Sequence, residues 1–238
     1  MSSAMTTRLG PFRPARWAYL IAAALVLAVL VWLVAFSSAL GVRSVTVVGT
    51  RVLTAQQVRA AAGIRTGTPL ARLDLAAVSS RLDALSPIRS VTVSRSYPSS
   101  VTIRVTERVA VGYRPADAGA GGGPVLLLDR DNVAFQTLAA APKDLPRLLV
   151  PATGSPSAAA ALVAGTLPAK VVRLLSTISA PTEESVTLTL RDGRSVLWGG
   201  TDRSSDKARL LSALLAQPGS YFDLSDPSAV TSRTDPGN

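Results

Sequence analysis

The sequence predicts an α+β protein with a single N-terminal transmembrane helix, a small strand–helix–helix–strand–strand domain and a larger mixed, β-rich domain. Three observations predict it. Residues 18–40 run for 23 positions without a charge. The next seventy or so residues hold three alternating stretches and two helical ones in a fixed order. From residue 125 onwards, short alternating runs recur between turn sequences, with helical stretches among them.

At about 1.5 Å per residue the uncharged run reaches roughly 34 Å, more than the ~30 Å hydrocarbon core of a bilayer. Trp17, Tyr19 and Trp32 supply aromatic side chains for an interface. Arg8, Arg13 and Arg16 precede the run with no acid among them. The positive-inside tendency therefore puts residues 1–17 in the cytoplasm and the rest of the chain outside. Arg43 and the basic segment after it run against this tendency, but a folded domain translocates largely regardless of its charge. Ser37-Ser38-Ala39 is an acceptable cleavage site for a signal peptide. The apolar run exceeds the ~7–15 residues of a signal core, which favours an anchor.

Residues 42–48 alternate around Val45 and Val47 and predict a strand ended by Gly49 and Thr50. Thr54 and Gln57 have capping-box spacing, and Gly63 supplies a stop, so a helix is predicted up to Ala62. Asp74 can cap a second helix with Leu75, Val78, Leu82 and Leu85 on one face, ended by Pro87. Residues 90–95 and 101–108 alternate on either side of Tyr97-Pro98-Ser99-Ser100 and predict an antiparallel hairpin. Two helices covering one face of a three-stranded sheet make a compact α+β domain.

Residues 116–123 are small and Gly-rich and predict a flexible joint or exposed loop. Beyond them strands are predicted at 125–128 and 133–136, around Asp129-Arg130-Asp131-Asn132, and at 145–150. Helices are predicted at 157–163 and 169–179. A hairpin is predicted at 186–190 and 195–198, a helix at 204–216, and two last strands at 221–224 and 230–233. The expected organisation is a tail at 1–17, the helix at 18–40, a first domain at 42–113, a second at 114–233, and a disordered tail at 234–238.

The chemistry of the side chains excludes several functions. Cysteine and histidine are absent, so there is no disulfide framework and no Cys/His zinc site, and the commonest general base near neutral pH is missing. Asp129-Arg130-Asp131-Asn132 lacks the glycine and glutamate of a calcium loop and is read as a turn. Glu183-Glu184 is read as an exposed loop. Gly121-Gly122-Gly123 lacks the lysine of a phosphate loop. Ser204 and Lys207 have Ser-x-x-Lys spacing without the companion motifs of a Ser-Lys enzyme, and are read as a solvated helix face. No catalytic, metal or cofactor-binding residue is expected.

The net charge of +10 is uneven. Residues 42–113 carry ten arginines against Asp74, Asp83 and Glu107, while the chain from Arg114 onwards is neutral, with twelve bases and twelve acids. The ten arginines are spaced singly and without interleaved stacking aromatics, which argues against nucleic acid. Beside a membrane, anionic lipid headgroups or an acidic partner suit them better. The polar faces of an Arg-rich protein would also account for them.

The stretch Leu85-Ser-Pro-Ile88-Arg-Ser-Val91-Thr-Val93-Ser-Arg95-Ser-Tyr97-Pro98, continuing through Val101, Ile103 and Val105 to Glu107-Arg108, resembles the FtsQ/DivIB family of division proteins. Val45-Thr-Val47-Val48-Gly49 and Gly67-Thr-Pro69-Leu70 also fit its pattern, and the βααββ order is that of its POTRA domain. Leu126 to Asp131, Leu145-Pro146-Arg147-Leu148, Asp192-Gly193-Arg194, Lys207 and Tyr221-Phe222-Asp223-Leu224 resemble its C-terminal part. Tyr97, Val109 and Ser225 depart from the family's usual Trp, Pro and Arg.

The resemblance implies a non-enzymatic scaffold of the divisome at the septum. It would join FtsB/DivIC and FtsL-type partners beside the plasma membrane and regulate septal wall synthesis. A membrane-anchored hydrolase finds no constellation of residues here. A POTRA-bearing transport component would need a barrel of many strands after the domain. The last strands are expected on a sheet edge, which invites strand addition. The resemblance then implies that FtsB/DivIC docks there, with Tyr221 and Phe222 as side-chain anchors and Val230, Thr231 and Ser232 as backbone contacts. By alternation one of the two aromatics is expected in the core.

Overall fold

The computed structural model describes residues 15–36, 41–116 and 123–233. Most of the tail at 1–17, the end of the expected span at 37–40, most of the Gly-rich stretch and the tail at 234–238 lie outside the described residues. Helix α1 spans Ala15–Phe36. Among the described residues no helix is long and apolar enough to cross a membrane.

The chain divides into two compact units, one running to Asp83 and including Val91–Val105, the other made of Ala84–Ser90 and everything from Thr106. The first unit contains β1 (Ser44–Val48), α2 (Ala55–Ala62), a 3-10 turn at Leu70–Arg72 and α3 (Leu75–Asp83). Most of β2 (Ile88–Ser96) and β3 (Ser100–Glu107) belongs to it as well. Thr54 and Gln57 form the capping box reciprocally, and Gly63 closes α2 at φ 61°. Asp74 accepts the Ala77 N–H at 3.0 Å and opens α3. The strand order is β1-β3-β2, with β1 parallel to β3 and Val47 opposite Ile103.

Val58, Ala62, Val78 and Leu82 from the helices and Val101, Ile103 and Val105 from the central strand are all buried. Three of the arginines are structural. Arg59 donates to Val45 O, Arg81 to Ala62 O, and Arg95 to Leu70 O and Leu73 O, all at 2.7–3.2 Å. A carboxylate in place of Ile103 would sit in the sheet–helix interface without partners. Ile103→Asp should therefore cost about 3 kcal/mol or more. In calorimetry of the full chain this appears as loss of the first unit's transition. Val91 is half-buried, so Val91→Asp should cost less.

The second unit is built on one nine-stranded sheet ordered β12-β11-β10-β9-β8-β7-β4-β5-β6. Its strands are β4 (Gly112–Pro115), β5 (Val125–Leu128), β6 (Ala134–Leu138), β7 (Arg147–Leu149), β8 (Leu175–Ser179) and β9 (Val186–Leu190). They are followed by β10 (Ser195–Gly199), β11 (Tyr221–Asp223) and β12 (Thr231–Arg233). Helices α4 (Ser155–Thr166), α5 (Ala169–Val172) and α6 (Ser204–Leu214) complete it. Ala160 and Val163 of α4, Leu211 of α6 and Leu188, Val196, Trp198 and Phe222 of the strands share one buried core.

Two sequence expectations are corrected. The helix expected at 169–179 ends at Val172, and 175–179 is strand β8. The ladder to β9 shifts between Leu175 and Thr177, so Ser176 is an extra residue. The bulge brings Leu175 and Ile178, three apart, into the same core, and that spacing mimics a helix. Strand β4 was not expected at all. It is four residues long, bounded by Gly112 and Pro115. A Cβ on Gly112 would lie 2.8 Å from the Leu148 side chain, so glycine is what lets β7 approach.

Candidate partner-binding edge

Strand β12 is the edge of the nine-stranded sheet. It pairs antiparallel with β11, with Arg233 opposite Tyr221, Ser232 opposite Phe222 and Thr231 opposite Asp223. Among the described residues no strand covers its other side, and Thr231, Ser232 and Arg233 are all exposed. Half of an edge strand's N–H and C=O groups point away from its only neighbour, which makes it a template for another strand.

β11 is held by β10, to which it runs parallel, and Leu224 N–H continues the ladder to Leu197 O at 2.8 Å. The Phe222 side chain is wholly buried in the core. It is therefore not a surface anchor: alternation turns it inward and leaves Tyr221 half-buried on the other face. Val230 is half-buried against the same core and seats the start of β12. Of the five residues expected at the site, Thr231 and Ser232 are fully on the edge, Tyr221 and Val230 flank it, and Phe222 supports it from beneath.

The loop between β11 and β12 is tied to the start of α6. Arg203 donates to Ser228 Oγ at 3.0 Å and lies 3.8 Å from both Asp226 and Asp206. The Ser228 N–H, given to Asp226 at 2.8 Å, holds that carboxyl below its ordinary range, and Arg203 adds to the effect. Beneath the loop, Lys207 is fully buried and donates to Trp198 O and Gly200 O, both at 3.1 Å. Ser204 is buried too, its Oγ accepting from Trp198 Nε1 at 3.3 Å and donating to Thr201 O at 2.7 Å. The reading of Ser204 and Lys207 as a solvated helix face is thus corrected. Both lie on the stripe with Ala208 and Leu211 that α6 turns into the core. That stripe was the available signal, since Ser204, Lys207, Ala208 and Leu211 recur at i, i+3, i+4 and i+7, the spacing of one helix face.

Residues 40–108 match the model of the FtsQ-type POTRA domain, and residues 120–225 match that of the FtsQ/DivIB C-terminal region. A cell division protein FtsQ of Streptomyces collinus is 38% identical over 246 residues, covering 92% of this chain and 91% of the relative. The chain belongs to the FtsQ/DivIB family of cell-division proteins. The FtsQ of Mycobacteroides abscessus is 38% identical over 199 residues, covering 82% of this chain and 62% of the relative. That of Mycobacterium leprae is 39% identical over 196 residues, covering 81% and 56%. The chain thus spans less than two thirds of the length of these mycobacterial relatives.

Proposed function

We propose that the chain is a non-enzymatic scaffold of the divisome that captures an FtsB/DivIC-type partner by strand addition to β12. FtsL-type proteins belong to the same assembly, and septal wall synthesis is regulated through it. The observation that carries the reading is the exposed edge strand 231–233, seated on the core through β11 and Val230. Family membership supports a role in division. Depleting the protein in its own bacterium should give filaments. A plasmid copy of the full chain should restore septa, whereas normal septation during depletion would remove the proposal.

The same reading places residues 18–40 across the plasma membrane, residues 1–17 in the cytoplasm, and the domains 42–113 and 114–233 outside, with 234–238 as a tail. The sequence of the helix and the arginines ahead of it support this. Protease added to intact protoplasts should then digest the chain beyond Val42 and spare its first residues. Full protection of the domains would reverse the topology. The exposed arginines of 42–113, Arg43, Arg51, Arg65 and Arg104 among them, would face anionic lipid headgroups.

A further inference from the structure

A cleft lies in the same sheet, separated from β12 by β11, β10, β9 and β8. Strands β4, β7 and β8 are its parallel neighbours. Beyond their carboxyl ends the cleft opens to about 600 Å³, the position where open sheets with parallel strands commonly bind ligands.

The cleft exists because the β4–β7 ladder stops early. The two strands share a single pair, Tyr113 with Arg147, and Tyr113 N–H reaches Pro146 O at 3.1 Å. In a parallel ladder the next donor from β4 would be the N–H of residue 115. That residue is Pro115, which has none. β4 stays with β5 and β7 with β8 to their ends, so the sheet is split between them.

Among the described residues, two arginines and no acidic side chain line the split. Arg114 Nη1 donates to Ala152 O, which fixes it at the wall. Arg147 Nε is buried and has no hydrogen-bond partner. A buried donor of this kind carries a desolvation cost that an anionic acceptor would relieve. The rest of the wall is apolar, from Leu126, Leu149, Val150 and Pro181, and Leu149 is 46% exposed despite its size. A small anion would meet the arginines and leave this apolar wall wet. An extended peptide with alternating acidic and aliphatic side chains would meet both.

We infer that this cleft receives an extended, carboxylate-bearing segment of a partner protein, independently of strand addition at β12. The test uses the full chain in detergent micelles and a fluorescein-labelled Ac-Glu-Leu-Glu-Leu-Glu-amide peptide, followed by anisotropy. Saturable binding is expected, weakened about tenfold by Arg147→Gln and also weakened by Leu149→Ser, a change on the exposed rim that leaves the core alone. Replacing the peptide's glutamates by glutamines should abolish it, and Arg104→Gln, an exposed arginine of the first unit, should leave it unchanged. Three results would overturn the inference. The first is no saturable binding. The second is equal weakening by Arg147→Gln and Arg104→Gln, which is generic charge attraction. The third is displacement of the peptide by sodium glutarate at the peptide's own concentration, which makes the site one for free anions.

Discussion

Deletion of residues 228–238 should abolish capture of the FtsB/DivIC-type partner while leaving the first unit folded. The deletion removes β12 and with it the outward row of backbone donors and acceptors on which strand addition depends. It also removes Ser228, which receives Arg203, and Val230, which is half-buried on the core. Losing the Val230 contact costs the second unit about 1 kcal/mol, too little to unfold a domain with this core. Proline substitutions separate the edge from the fold. Along β12 the N–H groups of successive residues point alternately toward β11 and away from it. Of Thr231→Pro and Ser232→Pro, one therefore breaks the ladder to β11 and lowers the melting temperature. The other removes only an outward donor and should weaken partner binding with an unchanged melt. Binding is measured by pull-down of the full chain from detergent extract, and melting by calorimetry. If the truncated chain captures the partner with unaltered affinity, the edge is not the docking strand.

The first unit was legible because its signals are local. The capping box at Thr54 and Gln57, the stop at Gly63, the Asp74 cap and the Tyr97-Pro98 turn each act within a few residues, and each appears where the sequence put it. The edge position of the last strand was also legible. What the sequence hid is non-local. β8 looked helical because a bulge gives Leu175 and Ile178 helical spacing, and only pairing with β7 and β9 decides between the two readings. β4 is too short to carry a period, and its place between β7 and β5 depends on partners tens of residues away. Arg108 and Asp129 belong to separate stretches of the family resemblance. In the second unit they meet in an ion pair at 2.5 Å, in which Asp129 is buried and also accepts the N–H groups of Asp131 and Val133. Phe222 and Tyr221 could not be told apart without knowing which face of β11 meets the core.

Replacing Lys207 by methionine should destabilise the second unit and weaken partner binding together. Methionine keeps most of the stem volume, so the cavity contribution is small. What is lost is the amine, which donates to Trp198 O and Gly200 O and lies 3.6 Å from Asp202. Trp198 is fully buried, and its carbonyl would lose a partner that water cannot easily replace, whereas Gly200 is only half-buried. At about 1–3 kcal/mol for a buried unsatisfied carbonyl and less for the wetter one, the total is about 2–3 kcal/mol. That corresponds to a fall of roughly 10 °C in melting temperature for a unit of this size. The consequence reaches the edge because these carbonyls terminate β10, the strand to which β11 is paired and on which β12 in turn depends. Lys207 therefore acts as a positioning residue: Lys207→Met should lower the melting temperature and the partner affinity in step. The outward-facing proline in β12 should lower the affinity alone. A Lys207→Met chain that melts within about 1 °C of the parent would mean that its two hydrogen bonds contribute almost nothing. One that melts low but binds the partner at full strength at a temperature where it is folded would break the proposed link between the end of β10 and the edge.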